Sequence, residues 1–223
     1  MENKALLIGA TGLVGGNCLK LLLNDEYYKE VEIMVRRPTG IKHSKLIETI
    51  IDFSKISDLP SSYANHYFCC LGTTIAKAKT KEAFHRVDFN YVIEFSKLVE
   101  RSHGEKLLVV SSIGANSESK NFYLRTKGEM ENKIREISNA EIYIFRPSIL
   151  LGRRKDFRFG EKIGKIFIRV LGIFLLGNLK KYKGIKSLTV ASSMIYFAKS
   201  GNSKIKILES NEIKKYSYNA RIN

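Results

Sequence analysis

Apolar positions along this chain fall into two rhythms. Six short runs are largely unbroken: KALLIG (4–9), VEIMVR (31–36), ETIIDF (48–53), HYFCCL (66–71), KLLVVS (106–111) and EIYIFR (141–146). Continuous apolarity over so short a length predicts strands covered on both faces. Between them the apolar positions recur at helical spacing. Residues 12–24 line up Val14, Cys18, Leu21 and Leu22, and residues 80–102 line up Phe84, Val87, Tyr91, Phe95 and Leu98. Residues 119–138 do the same with Tyr123, Lys127, Met130, Ile134 and Ile137. Strands and helices in alternation predict an α/β fold, a doubly wound parallel sheet of six to seven strands with helices on both faces. Beyond Pro147 the pattern loosens into an apolar run, IFIRVLGIFLLG (166–177), a predicted helix near 188–200 and a candidate last strand, KIKILE (204–209). We read one domain, with residues 1–151 as its core and 152–223 as a smaller part beside the carboxyl edge of the sheet.

Composition narrows the setting. The chain has 223 residues, 44% of them hydrophobic, enough to bury one substantial core. Its first residues show no basic segment ahead of an apolar one, so no secretory signal is expected. The 166–177 run is shorter than the roughly 20 residues that span a bilayer and carries Arg169. No transmembrane segment is predicted. Cys18, Cys69 and Cys70 are too few and too clustered for a disulfide framework, and neighbours on one strand point to opposite faces. A reducing, cytoplasmic location follows. The net charge of +16 favours polyanions in general. The lysines are scattered, however, and no helix-turn-helix, zinc-finger or RNP pattern accompanies them, so neither a specific nucleic-acid partner nor a metal is expected. Monomer and homodimer stay equally open.

The first chemistry lies where strand one turns into a helix. ALLIGATGLVGG places Gly9, Gly12 and Gly15 as G-x-x-G-x-x-G, at a helix start whose backbone N–H groups can point at an anion. Gly9 would allow the turn, Gly12 the approach of a phosphate, and Gly15 the close packing of helix on strand. A P-loop would end in Gly-Lys-Ser/Thr, whereas this stretch continues Gly-Gly-Asn-Cys. At the end of strand two, where an NAD site carries an acidic residue for the ribose, stand Arg36 and Arg37. Two guanidinium groups suit a 2′-phosphate, so the predicted cofactor is NADP(H). Asp52, closing strand three with Phe53 beside it, is a candidate for the adenine amino group. LGTT (71–74) adds a small, backbone-rich turn on the same edge.

The reacting groups are sought at the end of strand five and on the helix after it. Ser111 and Ser112 end the strand; Tyr123 and Lys127 follow at i and i+4, on one helical face. A second Y-x-x-x-K, Tyr182 and Lys186, has no strand-end serine before it. Lys127 falls on the apolar stripe and needs a partner there, for which a bound cofactor is expected. Arg125, Glu129, Glu131 and Arg135 are assigned to the solvated face. An ammonium beside a phenol favours the phenolate. Tyr123 would exchange a proton with the oxygen of a small carbonyl or hydroxyl substrate while a nicotinamide exchanges hydride. A serine hydroxyl would orient that oxygen, with Ser112 preferred to Ser111.

These segments carry a resemblance. GATGLVG (9–15), the Ser/Tyr-x-x-x-Lys set and FRPSILLG (145–152) resemble the atypical branch of the short-chain dehydrogenase/reductase superfamily. VRRP, CCLGTT, RVDFNYV, LLVVSSIGANSESKNFYLRTKGEMENKI and FRPSILLGRR are similar to the oxidoreductase HTATIP2 family and its bacterial relatives, over most of residues 5–158. The resemblance implies a Rossmann fold that binds NADPH, with Tyr123 as proton acceptor. It further implies cofactor contacts from Thr11, Gly12, Leu13, Val14, Arg36, Arg37, Leu71, Gly72, Lys127, Leu150 and Arg158. Many members hold a relay water on an asparagine in the helix after strand four; Asp88 takes that place here, with Asn90 nearby. Two roles follow as expectations, a reductase of a small carbonyl compound or an NADPH-loaded sensor with little turnover. A nucleotide-sugar epimerase or dehydratase is a lesser third.

Overall fold

The protein, seen in a computed structural model that describes residues 3–152 and 184–217, is built on seven parallel strands. In chain order the first elements are β1 (Asn3–Ile8), α1 (Leu13–Asn24), β2 (Tyr28–Val35), β3 (Leu46–Ile50), a 3-10 turn (Phe53–Asp58) and β4 (His66–Cys69). Then come α2 (Ile75–Ala78), α3 (Lys81–His85), a π-helical turn (Arg86–Asn90), α4 (Tyr91–Arg101), β5 (Lys106–Val110), α5 (Phe122–Ile137) and β6 (Glu141–Arg146). The short strands β7 (Leu150–Leu151) and β8 (Ile185–Lys186) pair with each other. The described chain closes with α6 (Ser187–Ser200), β9 (Ile205–Glu209) and α7 (Ser210–Lys215). The sheet runs β3-β2-β1-β4-β5-β6-β9, so the strand order reverses between β1 and β4. In such sheets ligands bind at that switch point, outside the carboxyl ends of the strands.

Alternation along the strands divides the core into two layers. Leu7, Ile33, Phe68, Leu108 and Phe145 face the layer that holds α1 and α6, whereas Leu6, Ile8, Met34, Tyr67, Val109 and Ile144 face the one that holds α4 and α5. Cys69 and Cys70 fall in opposite layers, as adjacent strand positions must. At about 1.5–3 kcal/mol for each large apolar side chain buried, these two layers dominate the folding free energy.

The strand runs are all present, with shifted ends. β2 begins at Tyr28, ahead of the predicted residue 31, because Tyr28 is fully buried and its hydroxyl meets His66 Nδ1 at 2.8 Å. β3 stops at Ile50, short of the predicted residue 53, because the Asp52 carboxylate accepts the Ser54 N–H at 2.9 Å and starts the 3-10 turn instead. The helix predicted over 80–102 is interrupted: one π-helical turn separates α3 from α4.

The helix predicted near 188–200 and the candidate last strand KIKILE are both present, as α6 and β9. Rather than lying beside the sheet, residues 187–215 belong to its layers: Val190, Ala191, Met194, Phe197 and Ala198 of α6 are buried, and β9 pairs in parallel with β6. Asn17 ties α1 to α6 by donating to Ser187 Oγ at 2.9 Å. The pattern there was faint because β9 is an edge strand, with Leu208 buried and Ile205 left exposed. The 166–177 run, Arg158 and Tyr182 lie outside the described residues.

Candidate functional site

The turn from β1 into α1 needs glycine at two positions for measurable reasons. Gly9 has φ +88°, and a Cβ there would stand 2.5 Å from the Cys70 carbonyl oxygen. A Cβ on Gly15 would stand 2.1 Å from the Gly9 carbonyl oxygen, so α1 lies against the strand end as closely as backbone allows. Gly12 caps the helix without a side chain, and its N–H donates to the Gly9 carbonyl at 2.9 Å. The N–H groups of the next residues, Leu13 and Val14, have no carbonyl one turn earlier in the helix to bond. They sit at the positive end of the helix dipole, with Thr11 and Gly12 exposed beside them. This is a cradle shaped for a diphosphate, and its chemistry fits a dinucleotide.

Around it the strand ends deliver the other predicted groups. Arg36 and Arg37 are exposed after β2, and among the described residues neither has a carboxylate within ion-pair distance. The Arg36 guanidinium stands 5.7 Å from the centre of the Phe53 ring, which is buried and meets Tyr91 edge-on. Asp52 is exposed, and hydrogen bonds from the Ser54 backbone and side chain hold its carboxyl below the usual range. It caps a turn rather than closing a strand. Leu71 is buried and Gly72 exposed, in the turn after β4. Leu150 is half-buried on β7.

On α5 the apolar stripe is real, and its lysine already has a partner. Lys127 is 3% exposed and its Nζ lies 2.7 Å from Asp88 Oδ1, itself fully buried on the π-helical turn. A partner for this charge is expected from the sequence, with a bound cofactor as one candidate; the protein itself supplies a carboxylate. Asp88 Oδ2 accepts the Thr73 N–H at 2.8 Å, and a Cβ on Gly72 would stand 3.4 Å from Asp88 Oδ1 and 3.9 Å from Lys127 Nζ. The ion pair therefore lies directly under the turn after β4. Burial pulls the Lys127 pKa down, but Asp88, Tyr123 and Cys69 together outweigh it and hold the value above the usual one. Tyr123 is half-buried one turn earlier, its ring 5.3 Å from that of Phe84.

Glu131 departs from its assignment to the solvated face. It is fully buried and accepts from Ser111 Oγ at 2.5 Å, from Arg146 Nε at 2.9 Å and from the Arg146 terminal nitrogen at 2.5 Å. Arg135 stands 3.4 Å away on the same helix. The spacing had signalled it: Glu131 follows Lys127 by four residues and so shares its face. Ser111 and Arg146 end the neighbouring strands β5 and β6, which brings both to that carboxylate. Ser111 is thus engaged, whereas Ser112 is half-buried and its hydroxyl makes, among the described residues, a 3.4 Å contact with the Ile113 carbonyl.

A glycine-lined helix start at the switch point of a parallel sheet defines a nucleotide-binding Rossmann-like protein. The profile of the NAD(P)H-binding family matches residues 9–163. "Protein HTATIP2" of Rattus norvegicus is 33% identical over 173 residues, covering 75% of this chain and 71% of the rat protein. "Protein FMP52, mitochondrial" of Candida albicans is 31% identical over 203 residues, covering 87% of each chain. The chain belongs to this NAD(P)H-binding family and is a relative of the HTATIP2 and FMP52 proteins. Among solved structures, "MoeE5 in complex with UDP-glucuronic acid and NAD" superposes with TM-score 0.69 at 15% identity, covering 95% of this chain and 80% of that one. A UDP-glucose 4-epimerase from Thermotoga maritima, solved with UDP-glucose, gives TM-score 0.66 at 14% identity, covering 95% and 80%. At such identities the likeness is one of fold. Among the described residues no helix is long and apolar enough to cross a membrane, and no cluster of metal-ligating side chains occurs.

Proposed function

We propose that the protein is an NADP(H)-dependent oxidoreductase acting on a small carbonyl or hydroxyl compound, with Tyr123 as its acid/base. The observation that carries this reading is the approach of Lys127 Nζ to Gly72, 3.9 Å from where that residue's Cβ would be. It brings the Tyr-x-x-x-Lys face of α5 to the strand-end edge on which the glycine turn opens. Gly9, Thr11, Gly12, Leu13, Val14 and Gly15 would hold the diphosphate, Arg36 and Arg37 the 2′-phosphate, Phe53 and Asp52 the adenine side, and Leu71, Gly72, Lys127, Leu150 and Arg158 the remainder. Bound NADPH would supply the hydride. Tyr123 would hold or release the proton at the substrate oxygen, and Ser112, whose hydroxyl is the less engaged of the two serines, would orient that oxygen. Ser111 is committed to Glu131. The preference for NADP(H) rests on two guanidinium groups, without an ion-pair partner among the described residues, where an NAD site carries a carboxylate. We place the protein in a reducing compartment, the cytoplasm, on its unpaired thiols; the Candida relative carries "mitochondrial" in its name.

Tyr123→Phe tests the assignment. Turnover is expected to fall about 100-fold or more with the affinity for NADPH kept. A second reading, an NADPH-loaded sensor, is favoured by one fact, that the Lys127 charge is met by Asp88 at 2.7 Å. A sensor would keep its behaviour in Tyr123→Phe. A wild-type chain that binds neither NADPH nor NADH in a fluorescence titration would end both readings.

A further inference from the structure

The π-helical turn gives Asp88 a position that an uninterrupted helix would not, and three contacts converge there. One carboxylate oxygen meets the Lys127 ammonium at 2.7 Å, the other accepts the Thr73 N–H at 2.8 Å, and Gly72 lies against the pair, a Cβ there falling 3.4 Å from Asp88 Oδ1 and 3.9 Å from Lys127 Nζ. Both charged side chains are almost wholly enclosed, 4% and 1% exposed. A lysine so placed would ordinarily shed its proton, since burial disfavours the charged form. The other titratable groups that act on it are Tyr123, on its own helix, and Cys69, at the end of β4; Asp88 is the carboxylate among them. An ammonium has three N–H donors, and Asp88 occupies one direction only.

We propose that Asp88 is the positioning residue of this site: its carboxylate keeps the Lys127 side chain an ammonium and aims it at the turn Gly72–Thr73, which the same carboxylate anchors. The inference rests on the reading of Lys127 as a cofactor-side residue, and it assigns the task of maintaining that residue to the protein itself. With Asp88 in place, Lys127 titrates above its usual value of 10.5, so its contribution to stability is complete below that pH and is lost only as pH rises past it. Without it, burial acts on the lysine largely unopposed. The folded-state value then drops below the unfolded one, folding must expel a proton, and stability climbs as pH rises between about 7 and 10.

The test compares the full chain with its Asp88→Asn variant. The buried thiols titrate alike in both proteins, so the reading is the difference: without cofactor, the unfolding midpoint of the variant is expected to gain on that of the wild type as pH rises from about 7 to 10. NADPH affinity at pH 9 against pH 7 is expected to fall about tenfold in the variant and less than about twofold in the wild type. Parallel pH profiles in both measurements overturn the proposal. If the cofactor-free pH profiles differ as described and the wild type binds no pyridine nucleotide, the proposed function fails and the role of Asp88 toward Lys127 stands. Should Asp88→Asn not fold, Asp88→Asn/Lys127→Met decides: a double variant more stable than Asp88→Asn supports the coupling, and one no more stable overturns it.

Discussion

Two buried charges sit one turn apart on α5 and keep different company. Glu131 is enclosed by donors: a serine hydroxyl, the fork of Arg146 and, further off, Arg135. Lys127 meets one carboxylate, at 2.7 Å, beside a turn of bare backbone at Gly72. A carboxylate whose lone pairs are filled from two strand ends and its own helix braces the structure and has nothing left to offer a ligand. An ammonium with donors in hand beside a glycine has. Sharing a helix face therefore says little about shared purpose; the number of satisfied partners says more.

Breaking the braced side should cost the most. Glu131→Ala leaves Arg146 and Ser111 without their acceptor, and a loss of about 3–5 kcal/mol is expected in denaturant unfolding. A loss under about 1 kcal/mol would contradict the bracing role. The serines sharpen the contrast at a smaller scale. Ser111→Ala should cost about 1.5–3 kcal/mol, the worth of a hydrogen bond to a charged group. Ser112→Ala should leave stability within about 0.5 kcal/mol and lower turnover instead. Equal stabilities for the two alanine variants would erase the distinction drawn between them. For Arg36→Ala with Arg37→Ala the effect is predicted on the ligand and not on the fold. NADPH affinity should drop by at least about tenfold, the loss of one charge-assisted contact, with NADH affinity and the unfolding midpoint nearly unchanged. An equal drop for both nucleotides would refute the 2′-phosphate assignment.

How far the chain could be read by eye depended on which force set each feature. Strand runs and the glycine turn were legible because continuous burial and the steric limits at Gly9 and Gly15 leave direct marks on residue type. β9 was harder to read, since an edge strand buries only part of its face and KIKILE shows both characters. Asp52 misled because a short carboxylate next to a strand can bond its own backbone and end the ladder. Glu131 was misassigned although it stood on the right face. Its partners Ser111 and Arg146 are 20 and 15 residues away in sequence, and only β5–β6 pairing brings them in. Asp88 was located by motif, but its contact with Lys127 depends on a change of helical pitch that hydrophobic spacing does not record.

That change of pitch carries a consequence for how the chain tolerates length variation. A π-helical turn amounts to one surplus residue wound into a helix. Excising a single residue between His85 and Tyr91 would let the segment rewind at ordinary pitch and swing whatever occupies position 88 by roughly 100° about the axis. The acidic group would be carried off the interior, and Lys127 would be left enclosed without its carboxylate. A change of length here therefore reaches the same contact as a substitution at Asp88, without altering that residue.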